Sequence, residues 1–174
     1  MTAFEFATAN RIIFGVGKLS GLADLLKGSV KRLLLVRGRS SDAIPPLREI
    51  LLAQGIQFNE FEVHGEPTVD KVRAGVKFAE GCDAVIGLGG GSVLDAGKAI
   101  AALATNHGDV FEYLEVVGKG QPLTENPLTY IAIPTTAGTG TEVTRNAVLD
   151  VPEHGVKVSL RSPMMLPDVY KRQR

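Results

Sequence analysis

Short apolar runs of strand length alternate with amphipathic segments of helix length along most of this chain, and that order limits the fold more than any other feature. The run LLLV at 33–36 is continuously apolar and reads as a buried strand, as do AVIGL at 84–88 and YIAI at 130–133. Between the first two, Pro45 and Pro46 open a helix carrying Leu47, Ile50, Leu51 and Leu52, and Gly55 closes it before the alternating strand IQFNEFEV. Residues 69–80 and 92–105 read as two further helices. Strand and helix in repetition predict an α/β fold: a Rossmann-like, doubly wound, mostly parallel sheet with helices on both faces. Before this region, Leu19, Leu22, Leu25 and Leu26 recur at helical spacing and stop near Gly28. Residues 4–6 and 11–14 read as two β-rich runs forming a ribbon or hairpin, ended by Gly15 and Gly17, and residues 118–127 read as a loop.

At 174 residues the chain suits one domain with a real core. Lys plus Arg number 19 and Asp plus Glu number 19, so no basic stripe advertises nucleic acid or an acidic membrane surface. No apolar run is long enough to span a membrane, and the start MTAFEFATANRIIF lacks the order of a signal peptide, which predicts a cytoplasmic location. Cys82, the only cysteine, excludes an internal disulfide and reads as a half-buried thiol ahead of a strand.

The chemistry concentrates at GLGGGSVLDAGK, residues 87–98. The dinucleotide fingerprint G-x-G-x-x-G fails, because Ser92 stands where its last glycine belongs, and the Walker pattern fails at spacing and at Ala99. Anion binding requires neither pattern. Gly89, Gly90 and Gly91 leave the carboxyl end of a strand without side chains, and the amides opening the next helix point at whatever sits there. Ser92 and Asp95 have capping-box-like spacing, and starting the helix is their simplest role. Gly97 inside the helix costs about 1 kcal/mol relative to alanine, so it predicts a close approach to the sheet or to a ligand. A second segment, IPTTAGTGTEVT at 133–144, follows the next strand, and its Thr135, Thr136 and Thr139 can donate to phosphate oxygens or bond the backbone of a turn.

GGGSVLDAGK and IPTTAGTGTEVT, placed after FEFATANRIIFGVG, resemble the amino-terminal domain of the iron-containing alcohol dehydrogenase family over residues 4–167. The resemblance implies a nicotinamide dinucleotide site with Gly90, Gly91 and Ser92 at the pyrophosphate, Asp95 near the nicotinamide end and Thr135, Thr136 and Thr139 on a second phosphate-side loop. Lys157 matches a lysine that the family directs at the cofactor; without the resemblance it reads as a solvated strand residue. Gly38 stands where NAD-preferring members commonly carry an aspartate for the adenosine ribose, flanked by Arg37 and Arg39. Guanidinium groups without that carboxylate predict that NADP is accepted at least as well as NAD.

The family also implies a helical second domain that holds a divalent metal, iron or zinc, through one aspartate and three histidines beyond the matched region. His64, His107 and His154 lack metal-ligand spacing and read as ordinary surface histidines. Residues 1–167 are thus expected to be the NAD(P)-binding domain of a truncated two-domain oxidoreductase that interconverts small alcohols with aldehydes or ketones. The expected full-length protein is a homodimer in which the FEF segment pairs across subunits. Residues 168–174 are expected to be a non-native tail, since one reverse translation of DVYKRQ matches the transposase-derived end of sequencing libraries. Metal-independent relatives resembling maleylacetate reductases, the related dehydroquinate synthases, and a stand-alone nucleotide-binding module are the alternatives. Within the chain no residue is assigned a catalytic role, and none is assigned as a metal ligand.

Overall fold

Both faces of β2 (Arg32–Arg37) are apolar, with Leu33 to Val36 wholly buried, so the strand must lie inside a sheet covered on two sides. The computed structural model, which describes residue 3 and residues 6–172, places it there. β2 pairs in parallel with β3 (Gln57–Glu62) on one side and with β4 (Ala84–Gly89) on the other. Beyond β4 follow β5 (Thr129–Pro134), β8 (Val169–Arg172) and β1 (Ile12–Phe14), giving the order β1-β8-β5-β4-β2-β3 with every pairing parallel.

Period-2 alternation divides the strand residues between two cores. Leu33, Leu35, Ile86, Leu88 and Ile131 pack against α1 (Leu22–Leu26) and α2 (Ile44–Ala53). Leu34, Val36, Val85, Tyr130 and Ala132 face the other way, toward α3 (Val69–Phe78) and α4 (Gly91–Leu103). Helix α3 begins where the Thr68 side chain accepts from Lys71 N. A single turn, α5 (Val110–Tyr113), capped by Asp109, follows α4. No helix among the described residues is long and apolar enough to cross a membrane.

Two features depart from the sequence reading. Ile12–Phe14 pairs in parallel with β8, a long-range pairing that the sequence reading lacks; the expected hairpin and subunit pairing fall on Phe4 and Glu5, which lie outside the described residues. Between β5 and β8 the chain forms an antiparallel ribbon, β6 (Asn146–Val151) and β7 (Val156–Arg161), which covers α4. Alternation of Ala147, Leu149 and Val151 with polar or exposed residues, and the PEHG turn, are the signals that mark it. Gly155 closes that turn at φ 62°, a conformation few other residues adopt cheaply.

Covered by the ribbon, α4 is buried from Val93 to Leu103, with no solvent-facing stripe. It lies unusually close to β5. A Cβ on Gly97 would come within 3.0 Å of the Tyr130 ring, and one on Gly87 would run into the Tyr130 hydroxyl. That hydroxyl donates to Leu94 O at 2.8 Å, locking strand to helix, and the close approach expected from Gly97 is therefore helix to sheet. Gly87→Ala is expected to lower urea-unfolding stability by about 1–3 kcal/mol. Adding Tyr130→Phe should return part of that loss; an undiminished cost in the Phe background would show that the hydroxyl is not the obstacle.

Candidate functional site

The chain winds from β2 out to β3, then back across β2 to β4 and on to β5. The winding direction reverses between β2 and β4, and the crevice outside the carboxyl ends of such strands is where doubly wound sheets bind ligands. Backbone bonds hold three loops around it: Gly38 N donates to Leu88 O at 3.2 Å, and Thr135 N donates to Gly89 O at 2.9 Å. A cleft of about 440 Å³ opens there, lined by Ser40, Asp42, Leu88, Ile133, Pro134 and Thr135 among others. At Gly38 the bare Cα leaves room above the Val93 side chain, which a Cβ would touch at 3.6 Å.

Helix α4 starts at this crevice with the extended Gly90 as its N-cap. Its first backbone bond is Leu94 N to Gly90 O at 3.1 Å, and among the described residues no protein acceptor takes the N–H groups of Gly91, Ser92 or Val93. A Cβ on Gly90 would lie 3.5 Å from Thr136 Oγ1, and one on Gly91 2.8 Å from Thr139 Cγ2. The glycine turn and the threonine loop therefore face one another, with Thr135, Thr136 and Thr139 exposed. Free amides, hydroxyls and the positive end of a helix converge on one open face, an arrangement suited to a diphosphate.

Asp95 does not complete a capping box. The helix has no side-chain cap, and Asp95, only 8% exposed, turns inward under the ribbon, where Thr141 Oγ1 donates to its Oδ1 at 3.0 Å. Tertiary packing overrides the local pattern because the ribbon covers this side of the helix. Burial lifts the Asp95 carboxyl from about 3.8 to about 6, opposed by Lys98, the Thr141 hydroxyl and the Val148 amide and assisted by Glu66. The sequence reading missed Lys98 and Glu142 beside it. A lysine and an acid within otherwise apolar or glycine-rich runs were the available signal. Lys98 Nζ donates to the carbonyls of Thr141, Thr144 and Asn146, and burial lowers its pKa to about 8.

Elsewhere the expected groups are less concentrated. Arg37 turns from the crevice to meet Glu60 Oε2 at 2.7 Å and Glu62 Oε2 at 2.9 Å, while Arg48 also holds Glu60 and, through that bond, keeps its carboxyl below the usual range. Arg39 is exposed at the loop. Lys157, on the ribbon, pairs with Glu66 at 2.9 Å and makes no contact with the glycine turn among the described residues. His64 meets Glu62, His154 lies edge-on to Phe111, and no three His, Cys, Asp or Glu side chains converge as a metal set among the described residues.

A raised Asp95 pKa has a definite consequence for stability. Unfolded, the carboxyl ionises near its ordinary value; folded, it stays protonated to about 6, so the folded state is favoured at low pH and loses that advantage as the pH climbs. The loss is about 3 kcal/mol between about pH 4 and about pH 6. Asp95→Asn, which retains an acceptor for Thr141, is expected to flatten stability over that window in urea titrations. An unchanged slope would show that other groups set it.

Comparison with known proteins agrees with this geometry. The sequence profile of the iron-containing alcohol dehydrogenase family matches residues 9–170. Sulfoacetaldehyde reductase from Bilophila wadsworthia is 36% identical over 174 aligned residues, covering 95% of this chain and 44% of that protein. A solved 1,3-propanediol oxidoreductase superposes with a TM-score of 0.89 at 31% identity, covering 99% of this chain and 46% of that one. Sulfoacetaldehyde reductase from Bifidobacterium kashiwanohense, solved in complex with NAD+, superposes with a TM-score of 0.88 at 25% identity over the same shares. The chain spans under half the length of these relatives. With the profile covering nearly all of the chain, and the parallel sheet and its glycine turn in place, the protein belongs to the iron-containing alcohol dehydrogenase family.

Proposed function

We propose that residues 1–167 are the dinucleotide-binding domain of an NAD(P)-dependent alcohol dehydrogenase that interconverts an alcohol with an aldehyde or ketone. The observation that carries this reading is the open turn at Gly90 and Gly91, facing Thr136 and Thr139 with unsatisfied helix amides between. In this reading the amides of Gly91, Ser92 and Val93 and the hydroxyls of Thr135, Thr136 and Thr139 hold the diphosphate. Gly38 leaves space for the adenosine end. The family resemblance assigns Asp95 to the nicotinamide end, where it would act from its inward, Thr141-bound position, and assigns Lys157 to the cofactor, for which it would exchange its ion pair with Glu66. When bound, a nicotinamide supplies hydride transfer at its C4. The residues of this chain bind and orient it.

The metal implied by the family name would be iron or zinc in the full-length protein. Among the described residues no set of His, Cys, Asp or Glu side chains converges to hold it. Small alcohols and carbonyl compounds are the proposed substrates, in line with the propanediol and sulfoacetaldehyde in the names of the relatives. The full-length protein is proposed to be a homodimer. Arg37 is already neutralised by Glu60 and Glu62, so Arg39 remains as the cation available to a 2′-phosphate. The proposal is accordingly that NADP is accepted beside NAD.

Fluorescence titration of the 174-residue chain with NADH and NADPH tests this reading, with binding of both expected. Gly91→Val, which fills the turn, should weaken both by about tenfold or more while circular dichroism stays unchanged. Absence of binding by the unaltered chain, or indifference to Gly91→Val, would overturn the assignment. Arg39→Ala should weaken NADPH by roughly tenfold and leave NADH near its starting affinity.

A further inference from the structure

Lys98 is the most deeply buried charged side chain of the described residues, 1% exposed, and it lies two turns along α4 from the free amides of the glycine turn. Its ammonium donates to Thr141 O at 2.5 Å, Thr144 O at 2.6 Å and Asn146 O at 3.1 Å. Three donors meet three acceptors, so the group is satisfied without a partner carboxylate; among the described residues none comes within ion-pair distance of it. All three acceptors belong to one short stretch, running from the turn at Thr141–Val143 into β6. The Asp95–Thr141 bond ties the same stretch to the same helix. Glu142, in the same stretch, has a buried Oε2 with no hydrogen-bond partner among the described residues.

An apolar side chain would fill the space under the ribbon at far lower desolvation cost than an ammonium. What an apolar residue cannot do is fix three carbonyls at once. The stretch begins two residues after Thr139, whose side chain stands against Gly91. One helix therefore presents the free amides at its start and grips the backbone of the opposite loop two turns later. We propose that Lys98 is a positioning residue: its ammonium clasps residues 141–146 and so sets the threonine loop at working distance from the Gly90 and Gly91 turn. This rests on the reading that the turn takes a dinucleotide diphosphate.

The test compares the 174-residue chain with Lys98→Met, which keeps the bulk and removes the donors, by hydrogen exchange and by NADH titration. Exchange at residues 139–146 should rise about tenfold or more with α3 unchanged, and NADH affinity should fall about tenfold or more. Lys98→Gln, which retains two donors, should fall between, and it carries both measurements if the Met variant does not fold. Unchanged exchange at 139–146, an equal rise in α3, or NADH affinity equal to that of the unaltered chain overturns the proposal. If the unaltered chain binds no NADH while exchange rises only at 139–146 in Lys98→Met, the clasp stands and the dinucleotide reading fails.

Discussion

The rest of the structure depends on how closely α4 can approach its surroundings. A helix buried from Val93 to Leu103 needs apolar matter on every side, and here β4 and β5 supply one wall, α3 another and the β6–β7 ribbon a third. Close packing of this kind is sensitive to single methyl groups. Gly87 and Gly97 let the Tyr130 ring slide between sheet and helix, and its hydroxyl finds its acceptor on Leu94 in the helix backbone. Because the helix is fixed there, its first turn projects to a set place above the ends of β2, β4 and β5.

That placement accounts for the division of labour within one helix. The amino end is open, carries unsatisfied amides and faces exposed threonine hydroxyls, so it suits an anion arriving from water. The middle is dry and holds Asp95, Lys98 and Glu142 under the ribbon. Low polarity works on these groups in opposite chemical directions, raising the Asp95 carboxyl and lowering the Lys98 ammonium, and each is brought back part of the way by the other. Backbone carbonyls hold the Lys98 ammonium and the Thr141 hydroxyl holds the Asp95 carboxyl, which offsets part of the cost of burying them.

The neighbouring arginines show how position decides the meaning of a residue type. Arg37 leaves a strand end where an anionic ligand would be plausible, yet β3 lies alongside with Glu60 and Glu62 on matching registers, and the guanidinium turns to them. Its charge is cancelled before any ligand arrives. Arg39, two residues on, is clear of β3 and stays exposed. Of the two guanidinium groups, that of Arg39 is the one without a carboxylate partner among the described residues.

By itself the sequence determined the alternation of strands and helices from residue 33 to residue 105 and the strand at 130–133, the two-sided burial of LLLV, AVIGL and YIAI, and the glycine turn after AVIGL, because these follow from local periodicity and from residues without side chains. It also joined the glycine and threonine segments as one site, through their resemblance to a family whose profile does match the chain. Only the tertiary structure decided that Ile12–Phe14 lies parallel to β8, that residues 146–161 fold back as a ribbon, that Asp95 points inward instead of capping, and that Lys98 is a buried clasp. Each of these is fixed by a partner distant in the chain, and spacing along a sequence carries no information about which distant surface will cover a given face.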